Sequence, residues 1–352
     1  MSAEARHAIA APRSSTSWLG DIRTMRILRY AFGGTLAMTI AMALDWPLAF
    51  LTPVLALSFL GAKTPRPTVK SLVMFVLVIT GACTAGLLVG LLISYPAVFL
   101  LSLALILFHL FYAKAGGAPP LLITWTLIAV LLIPILTSLS GEVALLVAGY
   151  LSYGSVVAVV VVWLSHVVVP DPSVAAVTAP TPPPAEPSTG AARVPLAAVS
   201  TLVVFPLAGL FLATRKADAI LVLVFVAILT LQPSLAAGYK AGIALIVGNV
   251  VGGLASMLFY DLLVIVPEFS FMVLLTLVCA LAFGSRLFSD SKWAPLFGMA
   301  FSTVVLIIGS TTSSFGEADT KASTRVVQIT IAVVYAVVAF NTIKSLLPRR
   351  EP

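Results

Sequence analysis

In a chain this apolar, a polar side chain inside a hydrophobic run is costly, and each one marks a place where an ion, a proton or another helix is met. The richest stretch runs from Ala219 to Val264: a short apolar segment, a break at Leu231-Gln232-Pro233-Ser234, and a Gly-rich segment opening at Gly238-Tyr239-Lys240. Unwound backbone at membrane depth is tolerated only where it is buried or lines a cavity, so a short, broken apolar segment points to a transport site. In that reading Gln232 and Pro233 shape the break, Lys240 attracts an anion, and Gly248 and Asn249 lie deeper along the same helix. A weaker copy runs from Pro47 through the break Gly61 to Pro67 into a second Gly-rich segment at Lys70. The alternative is a pair of ordinary loops at the cytoplasmic surface. Two readings stay open for Asn249, an interhelical hydrogen bond and a substrate contact. For the Gly faces, Gly81, Gly86 and Gly90 and then Gly248, Gly252 and Gly253, close helix packing is favoured over substrate contact.

Proton handling needs a group that titrates or a carboxylate near the path. His109 lies five residues before Lys114, near the cytoplasmic face, and imidazole changes charge between pH 5 and 8. Asp45 and Asp218 occupy comparable places between the first two helices of each half, as proton acceptors or as solvated loop carboxylates. Tyr150 and Tyr153 share a helix face at i, i+3 spacing, and with Trp125 they would line a pocket for flat apolar ligands if they are not core residues. No phosphate-binding G-x-x-x-x-G-K-[ST], no H-E-x-x-H and no Ser-His-Asp set at plausible depth occurs, so neither an ATPase nor a membrane enzyme is supported, and no cofactor or metal is expected.

The elements that must carry these residues follow from composition. Of 352 residues, 60% are hydrophobic and 9% charged, against about 25% charged in a soluble domain. The mean hydropathy is +1.12. The chain reads as an all-α polytopic membrane protein. Twelve helices are expected, at roughly 27–46, 47–62, 70–94, 95–113, 118–138, 143–168, 194–214, 217–233, 238–262, 266–284, 293–313 and 324–346. They fall into an N-terminal tail (1–26), a first six-helix unit (27–169), a Pro-rich linker (170–193), a second six-helix unit (194–348) and a short C-terminal tail (349–352). The tail before the first helix has no short apolar run ending at a small-residue cleavage site, so that helix is expected to be retained. Only Arg215, Lys216, Lys321 and Arg325 fall on one side of these spans, and all other Lys and Arg fall on the opposite side. By the positive-inside rule both termini and the linker are cytoplasmic. The net charge of +7 is thus a matter of topology, with no nucleic-acid signal.

The second half repeats the order of the first. Lys70 corresponds to Lys240, Tyr95-Pro96 to Val266-Pro267, Pro120-Leu121 to Pro295-Leu296 and Pro170 to Pro348. An even number of spans per half gives both copies one orientation, hence two parallel six-helix repeats. The Gly steps sit about two turns apart in that register.

The run Leu231-Gln232-Pro233-Ser234, Gly238-Tyr239-Lys240, Gly248 and Gly252-Gly253 resembles the second-to-third helix signature of the fusaric acid resistance superfamily, which includes the aromatic acid exporters. The layout of six helices, a linker and six more is similar as well. The resemblance is to a compact branch, because full-length aromatic acid exporters carry a large soluble domain where this chain has only Pro170 to Arg193, and the first half has Ala62-Lys63 in place of Gln-Pro. It implies an inner-membrane efflux component for aromatic or other small organic acids, driven by the proton gradient. Such components often work with a periplasmic adaptor of the membrane-fusion type and an outer-membrane channel, and a homo-oligomer is compatible with the layout. The rival expectations are a non-transporting assembly subunit of an export system, a membrane-embedded lipid-modifying enzyme and a channel.

Overall fold

The computed structural model describes residues 22–45, 48–62, 66–170, 190–214, 220–231 and 235–312, and within 327–342 all but 329, 340 and 341. Among them no strand occurs. The helices are α1 (Ile22–Ala43), α2 (Leu51–Leu60), α3 (Val69–Gly90, extended by a 3₁₀ turn Leu91–Ser94), α4 (Pro96–Ala115), α5 (Pro120–Leu139), α6 (Gly141–Val168), α7 (Gly190–Thr214), α8 (Ile220–Thr230), α9 (Leu235–Ile265), α10 (Phe269–Leu287) and α11 (Ala294–Thr312). A further apolar helix, α12, covers Thr330–Ala339.

Local chemistry sets several boundaries. α4 and α5 open on Pro96 and Pro120, where the missing N–H costs nothing. Ser140 caps α6 by accepting from the Val143 N–H at 3.3 Å. Two boundaries differ from expectation. α1 begins at Ile22, so Arg23 and Arg26 are helical rather than part of a polar tail, because arginine is a good helix former and nothing in Ile22 to Arg26 breaks the turn. α7 begins at Gly190 and takes in the last residues of the expected linker.

Among the described residues, seven helices are long and apolar enough to cross a membrane: α3 to α6, α7 from Arg193, α9 from Ala241, and α10. This is a multi-pass membrane protein. Outward stripes at i, i+4 spacing show what lipid would cover: Leu101 and Leu105 on α4, Leu254 and Leu258 on α9, and Leu274 and Val278 on α10 are all more than half exposed. The expected second and eighth helices, at roughly 47–62 and 217–233, are described as short segments. α2 has 10 residues and α8 has 11, about 15 Å each at 1.5 Å per residue, half of a roughly 30 Å hydrocarbon core. Helices this short hold their place by being wrapped in protein. On α2 the buried set is Thr52, Pro53, Leu55, Ala56, Leu57 and Leu60, and on α8 every residue from Val222 to Thr230 but Ile228 is buried.

The packing comes in corresponding pairs. α3 lies along α5 and α9 along α11; α1 lies along α10 and α4 along α7; α2 touches α11 and α8 touches α5. The Gly steps make the first pair possible. A Cβ on Gly86 would sit 3.0 Å from Ile133 Cβ, and one on Gly90 2.6 Å from Thr137 Cβ, both on α5. On α9, a Cβ on Gly248 would sit 3.1 Å from Met299 Cβ, and one on Gly252 would strike the Ala300 carbonyl oxygen, both on α11. The step meets α5 thirteen or more residues into that helix, but meets α11 within its first ten. The two Gly steps thus meet α5 and α11 at heights about two turns apart.

Candidate functional site

A cavity of about 300 Å³ opens where the break between α2 and α3 meets the first turns of α1 and α5 and the last turn of α6. Its polar lining is Arg26, Arg29, Ser71 and His166. Phe59, Leu60 and Leu121 supply apolar wall, and Pro67, Pro119 and Pro120 hold the surrounding backbone in extended or helix-opening conformations.

Arg26 and Arg29 point the same way because three residues are nearly one helical turn. Arg29 lies about 10 Å along α1 and is only 5% exposed. Its Nε donates to the Val169 carbonyl at 3.0 Å, a free acceptor at the end of α6 that suits a cation. His166 is buried, and its Nδ1 stands 2.9 Å from the Val162 carbonyl. A carbonyl only accepts, so Nδ1 carries the hydrogen and Nε2 is the basic nitrogen of the ring. Ser71 is fixed by the start of α3. Thr68 is extended, its Oγ1 accepts from the Ser71 N–H at 3.2 Å, and the Ser71 hydroxyl donates to the Thr68 carbonyl at 2.7 Å. The N-terminus of α3, with its partial positive charge, is thus aimed at the same space as two guanidinium groups. The described lining contains no carboxylate.

Past the cavity, the hydroxyl oxygens of Thr35 on α1 and Thr52 on α2 are buried with no hydrogen-bond partner among the described residues. Thr35 lies six residues beyond Arg29, about 9 Å deeper along its helix.

The residues singled out from sequence are not assembled into one pocket. Gln232, Pro233, Asp218 and the side chain of Lys240 lie outside the described residues. Lys70 is exposed on α3, and its neighbour Ser71 faces the cavity instead. Asn249 is used between helices: its Nδ2 donates to the Leu245 carbonyl at 2.8 Å, and its Oδ1 accepts from the Thr303 hydroxyl on α11 at 3.0 Å. Gly248 packs on α11. Trp125 is buried in α5, Tyr150 is half-buried on α6, and Tyr153 is exposed on α6. His109 is exposed one turn from Leu105 on the outward stripe of α4, with Nδ1 bound to the Leu105 carbonyl at 2.7 Å. Asp45 is exposed in the turn after α1, at the end of the molecule opposite the cavity, in the left-handed region at φ 44°. Sequence reasoning took Arg26 and Arg29 as topology markers and His166 as the end of a span. The available signal was the i, i+3 pair of arginines running straight into an apolar helix.

Residues 26–165 match a family described as a protein of unknown function (DUF2955). That match covers α1 to most of α6, hence most of the cavity, and less than half of the chain. No curated protein and no solved structure matches the chain.

Proposed function

We propose that the protein is an inner-membrane transporter component that exports small organic acids, aromatic ones among them, and that the cavity is where the anion is taken up from the cytoplasm. The observation that carries this reading is the pair Arg26 and Arg29 facing a half-enclosed, apolar-walled space with no described carboxylate in its lining. Two guanidiniums match a carboxylate, and Phe59, Leu60 and Leu121 suit its organic body. The basic end of the helices is cytoplasmic on the positive-inside rule. The paired packing of α3 with α5 and α9 with α11, of α1 with α10 and α4 with α7, supports two parallel six-helix repeats. In that arrangement α2 and α8 are the half-helices between the halves, and the hydroxyls of Thr35 and Thr52 lie along the inward route. The electrical part of the proton-motive force alone pushes a monoanion outward, by about 2.3 kcal/mol per 100 mV. A periplasmic adaptor and outer-membrane channel would extend the path.

The test is uptake of radiolabelled benzoate into inverted vesicles carrying the purified protein, with an inside-positive potential or an inside-acid pH gradient imposed. Accumulation that depends on either gradient is the expected result. No accumulation in sealed vesicles with verified insertion would overturn export by this chain alone and leave an assembly subunit as the working description.

A further inference from the structure

His166 is the one imidazole among the described lining residues, and it shares the cavity with Arg26 and Arg29, where a charge gained by the ring would act on an anion. Its helix packs against α1, α2, α3 and α5. From α1 it is faced across the cavity by Arg26 and Arg29. The lining contributed by α2, Phe59 and Leu60, does not titrate, nor does Ser71 from α3, nor Pro120 and Leu121 from α5. Lys70 and Arg66 are exposed and outside the lining, and Glu142 sits at the far end of α6. Lys63 and Asp171 lie outside the described residues.

Protonation of His166 at Nε2 would add a third positive charge to a space already framed by two guanidiniums. With a carboxylate bound between those guanidiniums, the added charge is attracted to it. Linkage makes the effect reciprocal, so the proton strengthens the hold on the anion by the same factor.

We propose that the cavity takes its anion together with a proton on His166, so that acidification of the side it opens to loads the site. This rests on the reading of the cavity as an anion site and adds a sign to it. For an exporter of organic acids the consequence is direct: acid accumulating in the cytoplasm raises occupancy of the site that removes it. No covalent step is involved; one proton moves from solvent to Nε2 as the anion binds and is released when the anion leaves.

The experiment is isothermal titration calorimetry of the full-length protein in detergent with sodium benzoate at pH 6.0, 7.0 and 8.0, where benzoate stays ionised. The pH 7.0 titration is repeated in two buffers of different ionisation heat, which reads proton uptake directly. The expected result is roughly five- to tenfold tighter binding at pH 6.0 than at pH 8.0, within the limit of tenfold per pH unit for one linked proton, with a measurable fraction of a proton taken up at pH 7.0. His166→Gln keeps a hydrogen-bonding side chain and should bind with one affinity at every pH, weaker than that of the wild-type protein at pH 6.0, with no proton uptake. Binding that is independent of pH, or zero proton uptake by the wild-type protein, overturns the proton linkage and leaves the anion site standing. An equal pH slope in His166→Gln overturns the assignment to His166. No benzoate binding at any pH overturns the anion site and this proposal with it. Because the two-buffer measurement uses the wild-type protein, the proposal is decided even if the variant fails to fold.

Discussion

The basic end of the molecule contains two clusters built from the same parts, and a described cavity borders one of them. Beside α2, Arg26 and Arg29 border an open cavity. Beside α8, Lys114 at the end of α4 donates to the Thr230 carbonyl that ends α8, at 3.5 Å, as Arg29 does to Val169 at 3.0 Å, and Arg193 at the start of α7 lies over the Tyr112 ring, 6.0 Å from its centroid. Both clusters combine a half-length helix with cations near helix C-termini, an arrangement that the macrodipole favours anywhere. What marks the α2 cluster as the candidate site is the cavity it borders, not residue type. Around α2, the prolines at 67, 119 and 120 border the cavity, whereas at the end of α8 the Lys114 ammonium meets the Thr230 carbonyl.

The largest effect expected from breaking this contrast is at Arg29. Arg29→Ala removes a buried cation and leaves the Val169 carbonyl without that donor, so benzoate affinity should fall at least about tenfold and the melting temperature in detergent should drop as well, since hydrogen bonds to charged groups are worth about 1.5–3 kcal/mol. Arg29→Lys separates the two effects, restoring charge without the planar fork. If Arg29→Ala binds benzoate as wild type does, the contrast between the clusters fails.

Next in size is the α9–α11 seam. Gly252→Val drives a side chain into the Ala300 carbonyl and Thr303 and should cost about 1–3 kcal/mol as overpacking, seen as a lower melting temperature with benzoate affinity preserved. At the same seam, Thr303→Val leaves Asn249 Oδ1 without its donor, and a loss of about 0.6–2 kcal/mol of stability is expected. Lys114→Ala should lower stability by no more than about 1 kcal/mol and leave vesicle uptake within about twofold of wild type, because that charge serves α8 rather than a cavity. A loss of uptake in Lys114→Ala as deep as in Arg29→Ala would make both clusters part of the path. The smallest effect is at His109, which lies on the outward stripe of α4; His109→Gln should leave both the uptake rate and its pH dependence unchanged.

The membrane class, the helix order and both breaks were legible in the sequence, because apolar runs and Gly-Pro punctuation act locally. Depth was not. Leu51–Leu60 reads as a short, broken segment, and only the helices packed around it show which of its residues are buried. The Gly steps were legible as packing surfaces, though not which helix each meets, since that is decided by the docking of α5 and α11. The site was the least legible part. Lys70 and Ser71 are adjacent and differ only in which way the helix turns them, and the capping of α3 by Thr68 fixes that turn. Arg29 reads as one more cytoplasmic charge until α6 folds back and presents Val169 to it. His166 ends a span in the sequence, and its burial exists only once other helices close around that last turn. Asn249 illustrates the reverse case, a buried amide whose two readings were open until Thr303 was placed opposite it.

The most direct measurement of the central claim is protection of the cavity itself by an anion. Ser71→Cys, made in a background with Cys83→Ala and Cys279→Ala, puts a thiol on the cavity wall, and its labelling by a negatively charged methanethiosulfonate reagent is timed in inverted vesicles with and without benzoate. The account predicts that benzoate slows labelling at Ser71→Cys several-fold and leaves a control thiol at Lys114→Cys unaffected. Labelling of Ser71→Cys at the same rate with and without saturating benzoate would contradict it.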